Sequence, residues 1–212
     1  MIKITNTTEV LNYGKKDQDK LAKLADTTLK IVKSNDLNNI EGTLTNLINN
    51  FNNSDKKFKF FKTTPNQESQ IMKLVDKLEL SYINVLNNVF NIEKISNEIN
   101  IIVKNLENKI YEANDFISNC GNNHNNIKTL EKKLHDLKLS TIVGQQLIAQ
   151  LQKIITVDKI LVTKIKFSIQ NTIPLWRKTN DTCSILQELK VALKDCENNK
   201  IEHAKLKEVI DL

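Results

Sequence analysis

Proline occurs twice and glycine four times in 212 residues. That is too little punctuation for the frequent turns of an all-β or doubly wound α/β fold. Aromatic residues are scarce at 5%, and Arg177 is the only arginine. Readers of nucleic acid concentrate arginine for bidentate contacts to phosphate and guanine. The net charge of +6 therefore does not point to nucleic acid, which is not an expected partner. Three widely spaced cysteines, Cys120, Cys183 and Cys196, argue against a disulfide framework and suit a reducing compartment. No window approaches the ~18 uninterrupted apolar residues of a membrane span, and Met1 to Val10 lacks an apolar stretch of signal-peptide length. These absences imply a cytoplasmic protein, with contact at the inner membrane face left open.

What is present is helical periodicity. Asparagine, lysine and isoleucine dominate, as in the products of a genome poor in G and C, so their abundance is not read as function. Residues 15–33 carry Leu21, Leu24, Thr28, Ile31 and Val32 at helical spacing, and Ser34-Asn35-Asp36 ends that run. Ile40, Leu44, Leu47, Ile48 and Phe51 form a second face. With Ile71 at heptad position a and Val75 at d, the a series continues through Leu78, Val85, Ile92, Ile99, Leu106 and Ala113. The d series continues through Tyr82, Val89, Ser96, Val103, Ile110 and Ile117. Seven heptads in one register predict a helix of roughly 70 Å. Ile83, Phe90 and Tyr111 at e, with Ile95 and Ile102 at g, predict more than one packing neighbour.

Cys120 to Asn126 reads as a turn. Leu130, Leu134, Leu137 and Thr141 open the next helix, which Leu147, Leu151, Ile154, Leu161 and Ile165 extend after a register adjustment near Gly144. A short turn makes the two long helices antiparallel neighbours. Pro174 should kink the chain or start a new helix. The last helix carries Ile185, Leu186, Leu189, Leu193 and Cys196 inward, with Cys183 also at an apolar-compatible position. The expected fold is all-α, an elongated bundle around a long antiparallel coiled-coil-like helical hairpin. Its segments are 1–53, short N-terminal helices; 54–69, a basic and aromatic linker; and 70–212, the hairpin with its C-terminal helix.

Chemistry is sparse. Phosphate-cradling glycine loops, H-E-x-x-H and paired C-x-x-C are missing from the sequence. Cys120 and His124 could supply two metal ligands, with His135 as a remote third, but zinc normally takes at least three protein ligands. The pair therefore reads as incidental, and no metal or cofactor is assigned. His203 stands alone. No catalytic constellation appears, so a non-enzymatic protein is expected. The segment Lys56, Lys57, Phe58, Lys59, Phe60, Phe61 and Lys62 mixes cations with rings and is a candidate contact for an anionic membrane surface. Lys159, Lys164, Lys166, Arg177 and Lys178 surround Pro174, a solvated face that could also meet anions.

Within this region Asp158-Lys159-Ile160-Leu161-Val162-Thr163-Lys164-Ile165 and, further on, Ile173-Pro174-Leu175-Trp176-Arg177 resemble the signature of the toxic anion resistance family, the TelA-like proteins associated with tellurite resistance. The resemblance extends over residues 35–195, with about twenty specific residues. The chain departs from the family pattern after Trp176, where Arg177-Lys178-Thr179 replaces K-N-Q. The resemblance implies a helical accessory or scaffold protein linked to toxic-anion stress, with Lys164, Asn171, Pro174, Trp176 and Arg177 as a candidate interaction surface. Its expected partners are other proteins of a stress or resistance system. A homodimer is also compatible, because a heptad stripe can be satisfied within a chain or across two. A structural coiled-coil spacer and a peripheral lipid binder are the competing readings.

Overall fold

The structure, a computed structural model, describes residues 7–57, 65–120, 127–179 and 181–210. These residues form only helices and short connections, so the protein is an all-α bundle. In chain order the helices are α1 (Thr7–Asn12), α2 (Lys15–Lys33), α3 (Leu37–Lys57), α4 (Pro65–Cys120), α5 (Ile127–Phe167), α6 (Ile173–Thr179) and α7 (Thr182–Ile210), with a π-helical turn at Ser168–Thr172 between α5 and α6. No described helix is long and apolar enough to cross a membrane.

The chain gathers into two compact units, each assembled from distant stretches. The first comprises Met1–Lys30, Ile92–Gln152 and Lys205–Leu212, and the second Ile31–Asn91 and Lys153–Ala204. In the first unit α4 and α5 run antiparallel, as Gln152 donating to Ser96 at 3.4 Å and Gln145 donating to Glu107 at 2.9 Å require. They approach closely at Gly144, where an added Cβ would lie 2.6 Å from Val103 Cγ2 and 3.4 Å from Leu21 Cδ2. The register adjustment read in the sequence is thus a site where backbone must meet side chain. Helix α2 lies alongside, its Gln18 donating to Ser140 Oγ at 2.8 Å. Gly14 turns α1 into α2 with φ +70, a left-handed conformation that glycine adopts without steric cost. Helix α1 was not evident from periodicity, yet its Val10 is fully buried with Ala113, Leu130 and Leu134.

The second unit gathers α3 with the first part of α4, the last part of α5, α6 and most of α7. Asn84 of α4 donates to Asp36 at 3.0 Å. Phe51 of α3 and Trp176 of α6 meet edge to face with centroids 4.9 Å apart, a favoured aromatic geometry.

The heptad stripe of α4 is the core. All seven residues of the series beginning at Ile71 are buried, as are Val75, Tyr82, Val89, Ser96 and Val103 of its companion; Ile110 and Ile117 are half-buried. The flanking residues differ from expectation. Ile95 and Ile102 are buried, but Ile83, Phe90 and Tyr111 are exposed. The reason is geometric: the four-residue step from Ile71 to Val75 is the step from d to a. In that register Ile83, Phe90 and Tyr111 fall at b, on the solvent side. Both ends of the segment expected as a linker, 54–69, are helical, because α3 continues to Lys57 and α4 begins at Pro65.

Candidate functional site

Pro174 does not break the helix. Its ring would collide with the carbonyl four residues back in a regular α-helix, and the wider turn immediately before it gives relief. Ile173 N–H donates to Ser168 O, five residues back, and the chain then continues as α6. π-helical turns of this kind recur at functional positions. Here the turn inserts one residue without rotating the outward face. Ile160, Phe167 and Leu175 consequently share one side of the continuous α5–α6 helix, spaced by seven and then eight residues. All three are exposed, at 47%, 54% and 52%.

Between this face and α7 lies a groove of about 590 Å³ lined by Thr163, Lys164, Phe167, Ser184, Gln187 and Val191, among others. Val191 is 45% exposed, so the groove has apolar surface on both walls. Two polar ties cross beneath it. Lys164 pairs with Asp195, and Glu188 accepts from Thr172 and, at 3.5 Å, from Ser168. The start of α7 is fixed by Asp181, which accepts from Ser184 N–H at 3.3 Å and Ser184 Oγ at 2.7 Å. Those hydrogen bonds hold the Asp181 carboxyl below its ordinary range, as expected for an anion capping a helix N-terminus.

Deeper in the same unit is a polar cluster that sequence reading missed. Asp158 is completely buried on the inward face of α5. One oxygen accepts from Asn199 Nδ2 at 3.0 Å and the other from Asn35 Nδ2 at 3.2 Å. Nε2 of His203 lies 3.0 and 2.9 Å from the two oxygens. A carboxylate oxygen accepts hydrogen bonds, so a His203 tautomer with its proton on Nε2 matches this arrangement. His203 therefore does not stand alone, because α7 carries it and Asn199 inward one turn apart. The sequence held a signal: positions 158, 199 and 203 continue the apolar stripes through Ile154, Leu161, Cys196 and Leu206 but bear polar side chains. Such a gap in a core stripe marks a buried network. Among the described residues no buried side-chain nitrogen or oxygen lacks a hydrogen-bond partner.

The cysteines separate. Cys196 is buried beside the cluster, its Sγ 3.2 Å from Leu37 O. Burial, and secondarily Glu41, push its thiol up to about 12. Cys183, read as apolar-compatible, is exposed, because it lies outside the stripe of Ile185, Leu189 and Cys196.

Of the residues expected on the interaction surface, Lys164 lines the groove, Pro174 is exposed, and Asn171 is exposed with its amide donating to Phe167 O at 3.3 Å. Arg177 pairs with Glu68 at 2.7 Å. Trp176 is only 3% exposed and supports the surface from the core. Of the candidate membrane contact, Phe58, Lys59, Phe60, Phe61 and Lys62 lie outside the described residues. Lys56 and Lys57 are in the last turn of α3. His124 also lies outside the described residues, and no group of three potential metal ligands occurs among those described.

A bundle of long helices, with its converging polar groups enclosed and a groove on its exterior, defines a helical-bundle protein. Within that class the chain belongs to the toxic anion resistance protein (TelA) family, whose model matches residues 1–118 and 118–201. Neither a curated protein nor a solved structure matches it.

Proposed function

We propose that this chain is a non-enzymatic accessory protein of toxic-anion resistance, tellurite included, acting in the cytoplasm by holding other proteins of a resistance system. The observation that carries this reading is the placement of polar chemistry. The titratable and amide groups that converge around Asp158 are enclosed and mutually satisfied, whereas the signature segment presents an outward groove. A buried, fully paired network specifies packing; an exposed apolar patch with polar surroundings is the usual mark of a binding surface. The family relationship supplies the physiological setting, and the groove supplies a means of action that needs no bond to be made or broken.

The test is genetic. Cells lacking the gene are challenged with tellurite and complemented with the unaltered chain or with a Phe167→Ser variant. Restored tolerance with the first and not the second is the expected result. Unchanged tolerance on deletion overturns the resistance role and leaves the competing reading of a structural spacer. In that reading Trp176→Ala lowers stability and nothing else.

A further inference from the structure

Resting on the reading of the signature face as a binding surface, we infer that the groove between α5–α6 and α7 receives an acidic amphipathic helix of a protein partner. The shape of the apolar surface argues for a helix. Ile160, Phe167 and Leu175 extend along roughly 22 Å at the α-helical rise, and Val191 of α7 lines the groove together with Phe167. A partner helix laid along such a line would place apolar anchors at i, i+3 or i+4, and i+7. The π-helical turn is what keeps Leu175 in that line. In an unbroken α-helix an eight-residue step from Phe167 would carry it about 80° around the axis.

Charge decides the kind of helix. The polar groups at the base of the groove are already committed, Lys164 to Asp195 and Glu188 to Ser168 and Thr172. The outward rims are cationic: helical phase places Lys159 and Lys166 on the α5 rim and Lys190 and Lys194 on the α7 rim. Lys166, Lys190 and Lys194 are exposed, and no carboxylate among the described residues forms an ion pair with any of the three. The exterior thus offers apolar contact flanked on both sides by positive charge. Its complement is a helix with an apolar stripe bordered by Glu or Asp.

The probe is a synthetic amphipathic helical peptide bearing a Leu/Ile stripe flanked by glutamates, and its control has the same stripe flanked by lysines. Calorimetric titration of the full chain should show binding of the acidic peptide that weakens as salt is raised, and none of the basic peptide. Phe167→Ser should weaken that binding roughly tenfold or more, as loss of an interface anchor does. Lys190→Glu with Lys194→Glu should weaken it further while leaving the melting temperature unchanged. Equal binding of both peptides, or binding indifferent to Phe167→Ser, overturns the proposal. So does a Phe167-dependent dimer of the chain, or Phe167-dependent binding to phosphatidylglycerol vesicles without peptide binding. If the peptide binds as described but deletion of the gene leaves tellurite tolerance unchanged, the groove stands and the resistance role falls. If tolerance requires the chain but no peptide binds, the groove assignment falls alone.

Discussion

The first unit closes on aliphatic side chains and two glycines, whereas the second places a carboxylate, an imidazole and two amides in its interior. Buried polar groups exist in both, but they are satisfied differently. In the first unit Thr28 and Thr141 turn back to the carbonyls of Leu24 and Leu137 in their own helices. Such bonds satisfy a hydroxyl and say nothing about which helix lies opposite. In the second, Asp158 is satisfied by groups from α7 and from the α2–α3 connection, so its hydrogen bonds exist only when three elements are correctly placed. In the first unit a cross-helix bond joins Gln152 to the buried Ser96, whereas the second unit converges three side chains on one buried carboxyl.

The contrast is sharpest at Asp158. Asp158→Ala leaves His203, Asn199 and Asn35 without their acceptor, and breaking a buried pair in this way should cost about 3–5 kcal/mol. Asp158→Asn keeps one acceptor oxygen and should cost less; urea denaturation followed by circular dichroism measures both. Equal, small losses would mean that the cluster is no more demanding than the aliphatic core. Trp176→Ala should cost about 3 kcal/mol, the effect of emptying a buried aromatic site, and thermal melting would reveal it. In the first unit the corresponding weak point is Gly144. Gly144→Ala forces a methyl against Val103 and should destabilise by about 1–3 kcal/mol through overpacking, with Val103→Ala partly rescuing the variant.

Alkaline titration separates the units more gently. Burial raises the Cys196 thiol from its ordinary 9.0 to about 12, and burial followed by Glu112 raises Tyr13 from 10.0 to about 12. Both groups are held neutral by the fold and ionise more readily once unfolded. The stability linked to Cys196 is therefore complete below pH 9 and lost as pH rises to about 12; that linked to Tyr13 is lost between pH 10 and about 12. Denaturation midpoints measured against pH should begin to fall near pH 9, and Cys196→Ala should postpone the onset while Tyr13→Phe should not. The smallest effect is expected at the surface. Arg177→Ala removes an exposed pair with Glu68 and should change stability by less than about 1 kcal/mol, a difference best resolved by denaturant midpoint.

Much of the fold was legible because apolar side chains repeat with the period of a helix. The series from Ile71 to Ala113 is buried at every position, and Leu130, Leu134 and Leu137 behave likewise. The lost detail has definite causes. Helix α1 is too short to display a period. Swapping the a and d labels on α4 moved Ile83, Phe90 and Tyr111 from the solvent side to the seam. The π-helical turn arises from a single-residue change of pitch ahead of Pro174, which no residue type announces. Asp158 was legible as part of a family-like segment, but its partners Asn35, Asn199 and His203 come from elsewhere in the chain. The groove walls were half visible: Lys164 was named from the resemblance, whereas Val191 and Gln187 become neighbours only when α7 folds back.

The enclosed carboxylate limits how the chain can err. Should α7 slide by one turn along α5, Cys196 or Leu206 would arrive where Asn199 or His203 belongs, and Asp158 would face sulfur or hydrocarbon. Aliphatic seams forgive such slips because one leucine resembles another to its neighbours. A buried carboxyl that needs hydrogen-bond partners does not, and misaligned alternatives that strip those partners away are raised in energy. Sequence drift can exchange Ile for Leu or Val along most of these helices, while Asp158, Asn199 and His203 tie α7 to α5 by chemical identity.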